Sequence, residues 1–130
     1  MMIIATGIDL IEIERIQQAM NRSPRFLDRI MTENEKEQLL RKDMRASSAA
    51  GSFAAKEAVS KVLGTGIGEI AWREIEILND GNGAPHVVLH GKARLVAERL
   101  GINHILVSIT HDRHVAMASA LGQQINRKEG

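Results

Sequence analysis

Asp9, Glu57 and Lys61 are the residues of this chain whose types and settings most invite chemistry. Glu57 and Lys61 stand one helical turn apart in the stretch Gly51 to Gly68, GSFAAKEAVSKVLGTGIG. On a helix at about 100° per residue, Ala55, Ala58, Val59, Val62 and Leu63 fall on one side and can pack into a core, while Glu57 and Lys61 point the other way. An exposed Glu–Lys pair at i,i+4 is ordinarily a solvated pair worth roughly 0.2–0.5 kcal/mol. What lifts this one above that reading is Gly64-Thr65-Gly66-Ile67-Gly68 directly after it. Glycines ending a helix free backbone amides to face an anion. A carboxylate, an ammonium and glycine amides in one short segment suit a ligand that carries phosphates and a metal ion. Asp9 is the second anomaly: it interrupts the β-branched run of Ile3, Ile4, Ala5, Ile8, Leu10 and Ile11, which reads as a buried strand. An acid there must be paired, metal-bound or at the strand's solvent end, because an unpaired buried carboxylate is costly.

The elements that must position these groups follow in chain order. Gly7 permits close approach of another backbone to the first strand. From Leu10 the pattern turns helical, with Ile13, Ile16, Gln17 and Met20 in three-to-four spacing, so strand is expected to pass into helix at Asp9. Ser23-Pro24 caps and begins a short helix through Ile30. Thr32-Glu33-Asn34-Glu35 has capping-box spacing and opens a charged helix through about Lys42. After a polar link at Arg41 to Arg45, Ser47 or Ser48 caps the central helix, which ends near Gly64. Trp72 to Leu78 reads as a strand, Asp80-Gly81-Asn82-Gly83 as a turn, and Pro85 to His90 as the returning strand of a hairpin. Lys92 to Leu100 is a short helix stopped by Gly101. Ile105 to Thr110 and Val115 to Leu121 are the last strands, around a turn at Asp112 to His114. Gln123 to Gly130 looks like a frayed polar tail. The expected organisation is one domain over 1–122 and a tail over 123–130, of α+β class, with a mainly antiparallel sheet packed against the long central helix and shorter helices. Gly64, Gly66 and Gly68 follow a helix rather than a strand, so they are no dinucleotide fingerprint.

Composition excludes several function classes. The 130 residues contain no cysteine, so no disulfide framework or thiolate zinc site is available. His86 and His90 could share a strand face, but no third ligand accompanies them, which argues against zinc. No apolar run approaches a membrane span, and Thr6, Gly7 and Asp9 interrupt the N-terminal one, unlike a signal peptide; a cytoplasmic location is expected. Seventeen basic and sixteen acidic residues leave a net charge of +1, too balanced for a nucleic-acid partner, and 2% aromatic content supplies no base-stacking platform. Arg15, Arg22, Arg25 and Arg29 crowd one early segment, where they could face a small acidic protein.

Three segments stand together in order: Gly7-Ile8-Asp9-Leu10-Ile11-Glu12-Ile13 with Arg15, Phe53-Ala54-Ala55-Lys56-Glu57-Ala58 with Lys61 and Gly64-Thr65-Gly66, and Val107-Ser108-Ile109-Thr110-His111-Asp112. From Ile3 to Leu121 the chain closely resembles the holo-acyl-carrier-protein synthase family, the short 4'-phosphopantetheinyl transferases. The resemblance implies that family's fold and a Mg2+ ion held by Asp9 and Glu57 together with the pyrophosphate of coenzyme A, a donor set suited to a hard cation. It implies that a serine hydroxyl of apo acyl carrier protein attacks the β-phosphorus and adenosine 3',5'-bisphosphate leaves, with Lys61 adding positive charge, in support of fatty acid biosynthesis. The proton acceptor stays open between a metal-bound hydroxide, Glu57 and another carboxylate. By the same resemblance Lys61, Gly64, Thr65, Gly66, Gly83, Pro85 and His111 contact coenzyme A, and Arg15, Arg22, Arg25 and Phe26 dock the carrier protein. The family is typically a homotrimer with active sites between subunits. This chain departs from it at Ser52 and Ala84, where relatives carry arginine and often lysine; Arg45, Lys56 and Arg113 are candidate substitutes. The rival readings are another coenzyme A user, such as a thioesterase, which would not need the two acids, and a carrier-binding module without catalysis.

Overall fold

The computed structural model describes residues 1–126. The β-branched opening run forms β1, Met2–Glu12, which pairs antiparallel with β5, Val115–Gln124. β5 pairs in turn with β4, His104–His111, giving a three-stranded sheet of order β1-β5-β4. β2, Ile75–Asn79, and β3, Pro85–Leu89, form a separate antiparallel hairpin. The helices are α1 (Ile13–Arg22), α2 (Phe26–Ile30), α3 (Glu33–Arg41), α4 (Ala46–Leu63) and α5 (Gly91–Leu100). The α+β class expected from the sequence is what the molecule shows.

α4 organises the core because its inner face is small. Ala54, Ala55, Ala58 and Val59 are wholly buried and meet Ala118 and Ala120 of β5, so the helix lies close on the sheet. Gly7 makes the closest approach possible: a Cβ there would stand 2.1 Å from the Ala58 carbonyl oxygen. At the other end Gly64, with φ of 73°, takes the left-handed C-cap conformation that glycine adopts without steric cost.

The β1–β5–β4 register assigns the faces. Directly opposed residues share a face, so the rows Gly7–Ala120–Val107 and Asp9–Ala118–Ile109 lie on the α4 side. The rows Thr6–Leu121–Leu106, Ile8–Ser119–Ser108 and Leu10–Met117–Thr110 lie on the other, where Ile8, Leu10 and Leu106 are each at least half exposed. β1 is therefore one-sided rather than a buried strand.

Several boundaries differ from the expectation. Helix does not begin at Leu10: β1 continues to Glu12, opposite Val115, and the Ile13 amide donates to the His114 carbonyl at 2.8 Å. Ladder pairing with β5 overrides the helical spacing of the side chains, so Asp9 sits well inside the strand. α4 starts at Ala46 with Arg45 as its N-cap residue, so neither Ser47 nor Ser48 caps it. Trp72–Glu74 is a 3-10 turn before β2. Gln123 and Gln124, expected in the tail, are the last residues of β5, and Gln123 is buried; residues 127–130 of that tail lie outside the described residues. The capping box at Thr32 and Glu35 is present as expected.

Glu35 and Lys56 reveal an arrangement no local signal announced. The Lys56 ammonium is wholly buried, 2.9 Å from Glu35 Oε1, and also donates to the carbonyls of Trp72 and Ile75. Burial pulls its pKa down, against the pull of the Glu35 charge. Glu35 Oε2 accepts the Ile77 amide at 2.9 Å, so the pair ties α3, α4 and β2 together. Beside it the buried Glu76 accepts from the Thr32 hydroxyl and the Asn34 amide and lies 3.1 Å from His90 Nε2.

Candidate functional site

Asp9 faces α4 because the register puts it there, and α4 answers with Lys61 and Glu57. The Lys61 ammonium donates to the Ile8 carbonyl at 2.8 Å and lies 3.3 Å from Asp9 Oδ1. Burial, then the negative charge of Asp9, pushes the Glu57 carboxyl above its ordinary pKa, and the Lys61 charge partly offsets this. Two acids distant in the chain thus feel each other beside one ammonium. Such a pair is relieved by a cation, and its oxygens are the hard donors Mg2+ takes. Among the described residues no group of three or more His, Asp or Glu could hold a metal, so the pair would need phosphate and water oxygens to complete a shell.

The glycine segment behaves differently from the expectation. The Gly64 amide donates to the Lys61 carbonyl and the Thr65 amide to the Ser60 carbonyl, closing the last turn of α4, while the Gly68 amide donates to Ile70. These amides satisfy orphan helix and loop carbonyls rather than facing an anion. The Thr65 hydroxyl, by contrast, is buried without a partner.

Gly83, Pro85 and His111 come together elsewhere, around a cavity of about 230 Å³ between α3, the N-terminal half of α4, the β2–β3 turn and the end of β4. Gln38, Lys42 and Ser52 line it too, and the Ser52 hydroxyl is buried without a partner. Lys61 and Gly64 to Gly66 do not line it; Lys61 instead borders a wider cavity of about 700 Å³ with Ile8, Leu106 and Leu121. His111 is exposed, its Nδ1 3.1 Å from the Asp112 carbonyl.

Of the candidate substitutes for the missing cations, Lys56 is removed by its burial against Glu35. Arg45 pairs loosely with Asp43 at 3.7 Å and is not part of the cavity wall, whereas Lys42, which sequence reasoning passed over, is. His86 and His90 are partnered separately, by Asp80 at 2.9 Å and by Glu76 at 3.1 Å. Arg15, Arg22 and Arg25 are exposed and make no salt bridge among the described residues, while Phe26 is half-buried against the α1–α3 cluster.

A helix laid across an antiparallel sheet, with two carboxylates and an ammonium at their contact, defines an α+β protein suited to phosphate and metal chemistry. Comparison with known proteins carries this further. Residues 5–118 match the 4'-phosphopantetheinyl transferase superfamily. The holo-[acyl-carrier-protein] synthase of Alkaliphilus metalliredigens is 46% identical over 92% of this chain and 98% of its own, and that of Caldanaerobacter subterraneus 47% identical over 91% and 93%. The Helicobacter pylori synthase solved in complex with coenzyme A superposes with a TM-score of 0.79 at 34% identity, over 91% of this chain and 99% of its own. The Plasmodium yoelii acyl carrier protein synthase with ADP bound gives 0.86 at 32% identity, over 95% and 97%. The chain belongs to the 4'-phosphopantetheinyl transferase superfamily and, within it, to the holo-[acyl-carrier-protein] synthases.

Proposed function

We propose that this protein transfers the 4'-phosphopantetheine group of coenzyme A to a serine of apo acyl carrier protein, releasing adenosine 3',5'-bisphosphate, in a Mg2+-dependent cytoplasmic reaction that supports fatty acid biosynthesis. The observation that carries the reading is the convergence of Asp9, Glu57 and Lys61 at the β1–α4 contact. Asp9 and Glu57 would hold Mg2+, which when bound polarises and neutralises the pyrophosphate. The Lys61 ammonium, anchored on the Ile8 carbonyl, holds a fixed positive charge beside that centre without needing to reorganise. The cavity lined by Gly83, Pro85 and His111 would receive the nucleotide end of coenzyme A, and Lys61, with the Thr65 hydroxyl and the Gly66 backbone beyond it, would border its phosphates.

Arg15, Arg22 and Arg25, with Phe26 between α1 and α3, offer an acidic carrier protein a basic docking surface. The apolar outer face of the sheet, with Ile8, Leu10 and Leu106 in solvent, supports a homotrimer in which a neighbouring copy covers that face and borders the site at Lys61. Incubation with apo carrier protein, coenzyme A and Mg2+ should add about 340 Da to the carrier, the mass of one phosphopantetheine, read by mass spectrometry. An unchanged carrier mass overturns the assignment.

A further inference from the structure

We propose that Gln38 is a positioning residue for the nucleotide end of coenzyme A: it fixes the β2–β3 turn over the cavity that the reading above gives to that ligand. β2 pairs with β3 on one edge only, so the polar groups of its other edge need partners. Side chains of two helices supply them in order along the strand. Lys56 takes the Ile75 carbonyl and Glu35 the Ile77 amide. The Gln38 carboxamide takes the last pair, its Nε2 donating to the Ile77 carbonyl at 3.2 Å and its Oε1 accepting from the Asn79 amide at 2.7 Å. One primary amide thus acts as a one-residue strand, a donor and an acceptor matched to a strand edge.

Its place along the strand gives this clamp a function. Asn79 is the last residue of β2, and the turn after it is locked internally. Asp80 Oδ1 accepts the amides of Asn82 and Ala84, and the Asp80 amide donates to the Ala84 carbonyl. Such a turn moves as one piece, so the direction in which Gly83 and Pro85 point is set by what holds Asn79. Gln38, Asn79, Gly83 and Pro85 all line the cavity. Lys56 and Glu35 anchor the start and middle of the strand and hold the fold. The Gln38 hydrogen bonds go to β2 and not to Asp9, Glu57 or Lys61, so its loss loosens the nucleotide end and leaves the reacting end as it was.

The test uses Gln38→Met, which keeps the volume and loses both hydrogen bonds, and Gln38→Glu, which keeps the acceptor and regains the donor only when protonated. In Gln38→Met the KM for coenzyme A, and its Kd by calorimetry, should rise about five- to tenfold. The kcat and the KM for carrier protein should hold, and amide exchange should quicken at Asn79 but not at Ile77. In Gln38→Glu the KM for coenzyme A, relative to the parent at each pH, should fall back toward the parent value as pH drops through the carboxyl titration. A coenzyme A affinity like the parent's in Gln38→Met, or a fall in kcat without a change in KM, overturns the proposal. A parent protein that binds coenzyme A but transfers nothing to the carrier overturns the transferase reading alone, because the calorimetric comparison still decides the role of Gln38.

Discussion

Lys61 reaches from α4 to β1 and sets its ammonium 3.3 Å from the Asp9 carboxylate, tying helix to strand one turn away from Glu57. The contact is half open to solvent on the lysine side, so a ligand can enter without dismantling it.

Asp9→Asn and Glu57→Gln each keep side-chain shape and remove one negative charge from the proposed Mg2+ site. Each should lower phosphopantetheine transfer by about a hundredfold or more and abolish the response to added Mg2+. Chelation of divalent metal from the parent protein should have the same effect, restored by Mg2+. Either variant retaining parent activity in the carrier mass-shift assay would remove the metal from the mechanism.

Leu106 stands half exposed on the outer face of the sheet, directly opposite Leu121. In sedimentation velocity the parent should run at three times the 14.3 kDa chain. Leu106→Arg, which puts a charge into that apolar face, should run as a single chain and lose transfer activity with its assembled site. A parent sedimenting as one chain would end the trimer reading.

Gly7→Ala drives a methyl into the Ala58 carbonyl, 2.1 Å from where the Cβ must go. The strand has to move off the helix, at a cost of about 3 kcal/mol read from urea denaturation. Because Asp9 rides on the same strand, transfer should fall in the folded fraction as well.

Glu76 is buried, which raises its pKa, but hydrogen bonds from Thr32, His90 and Asn34 outweigh that and hold the carboxyl below its ordinary value of 4.5. Glu74, Asp80 and Asp112 are lowered too, by hydrogen bonds from backbone amides and, for Asp80, first from His86. The unfolded chain therefore takes up these protons more readily than the folded one. Their stabilisation is present above the ordinary carboxylate range and is lost as pH falls through it toward the folded values. The thermal midpoint should drop as pH falls below about 4.5, and Glu76→Gln should be less stable at neutral pH with a shallower acid slope. A parallel slope in that variant would show that Glu76 plays no part.

Local signals were legible where a few neighbouring residues settle the conformation. Thr32 and Glu35 spell a capping box, Gly64 a helix end, Asp80 to Gly83 a turn, and each stands where the sequence put it. The helical spacing at Leu10 misled because pairing to β5 outweighs side-chain periodicity. The glycines after Lys61 were legible only in part: the Gly64 and Gly68 amides have nearer carbonyls to satisfy, which the spacing alone does not show. Gln38 and the Lys56–Glu35 pair were illegible because their partners lie far along the chain, on a strand edge that exists only once the hairpin is docked.

By itself the sequence determined that an acid interrupts the first strand, that a Glu and a Lys share one face of the central helix, and that a glycine in that strand admits a close neighbour. Only the tertiary structure decided that these meet. Strand side chains alternate between faces, so a slip of one residue in the β1–β5 register would turn Asp9 to the outer face and away from Lys61. The same register places Gly7 under Ala58, a close approach between segments with no local reason to find each other.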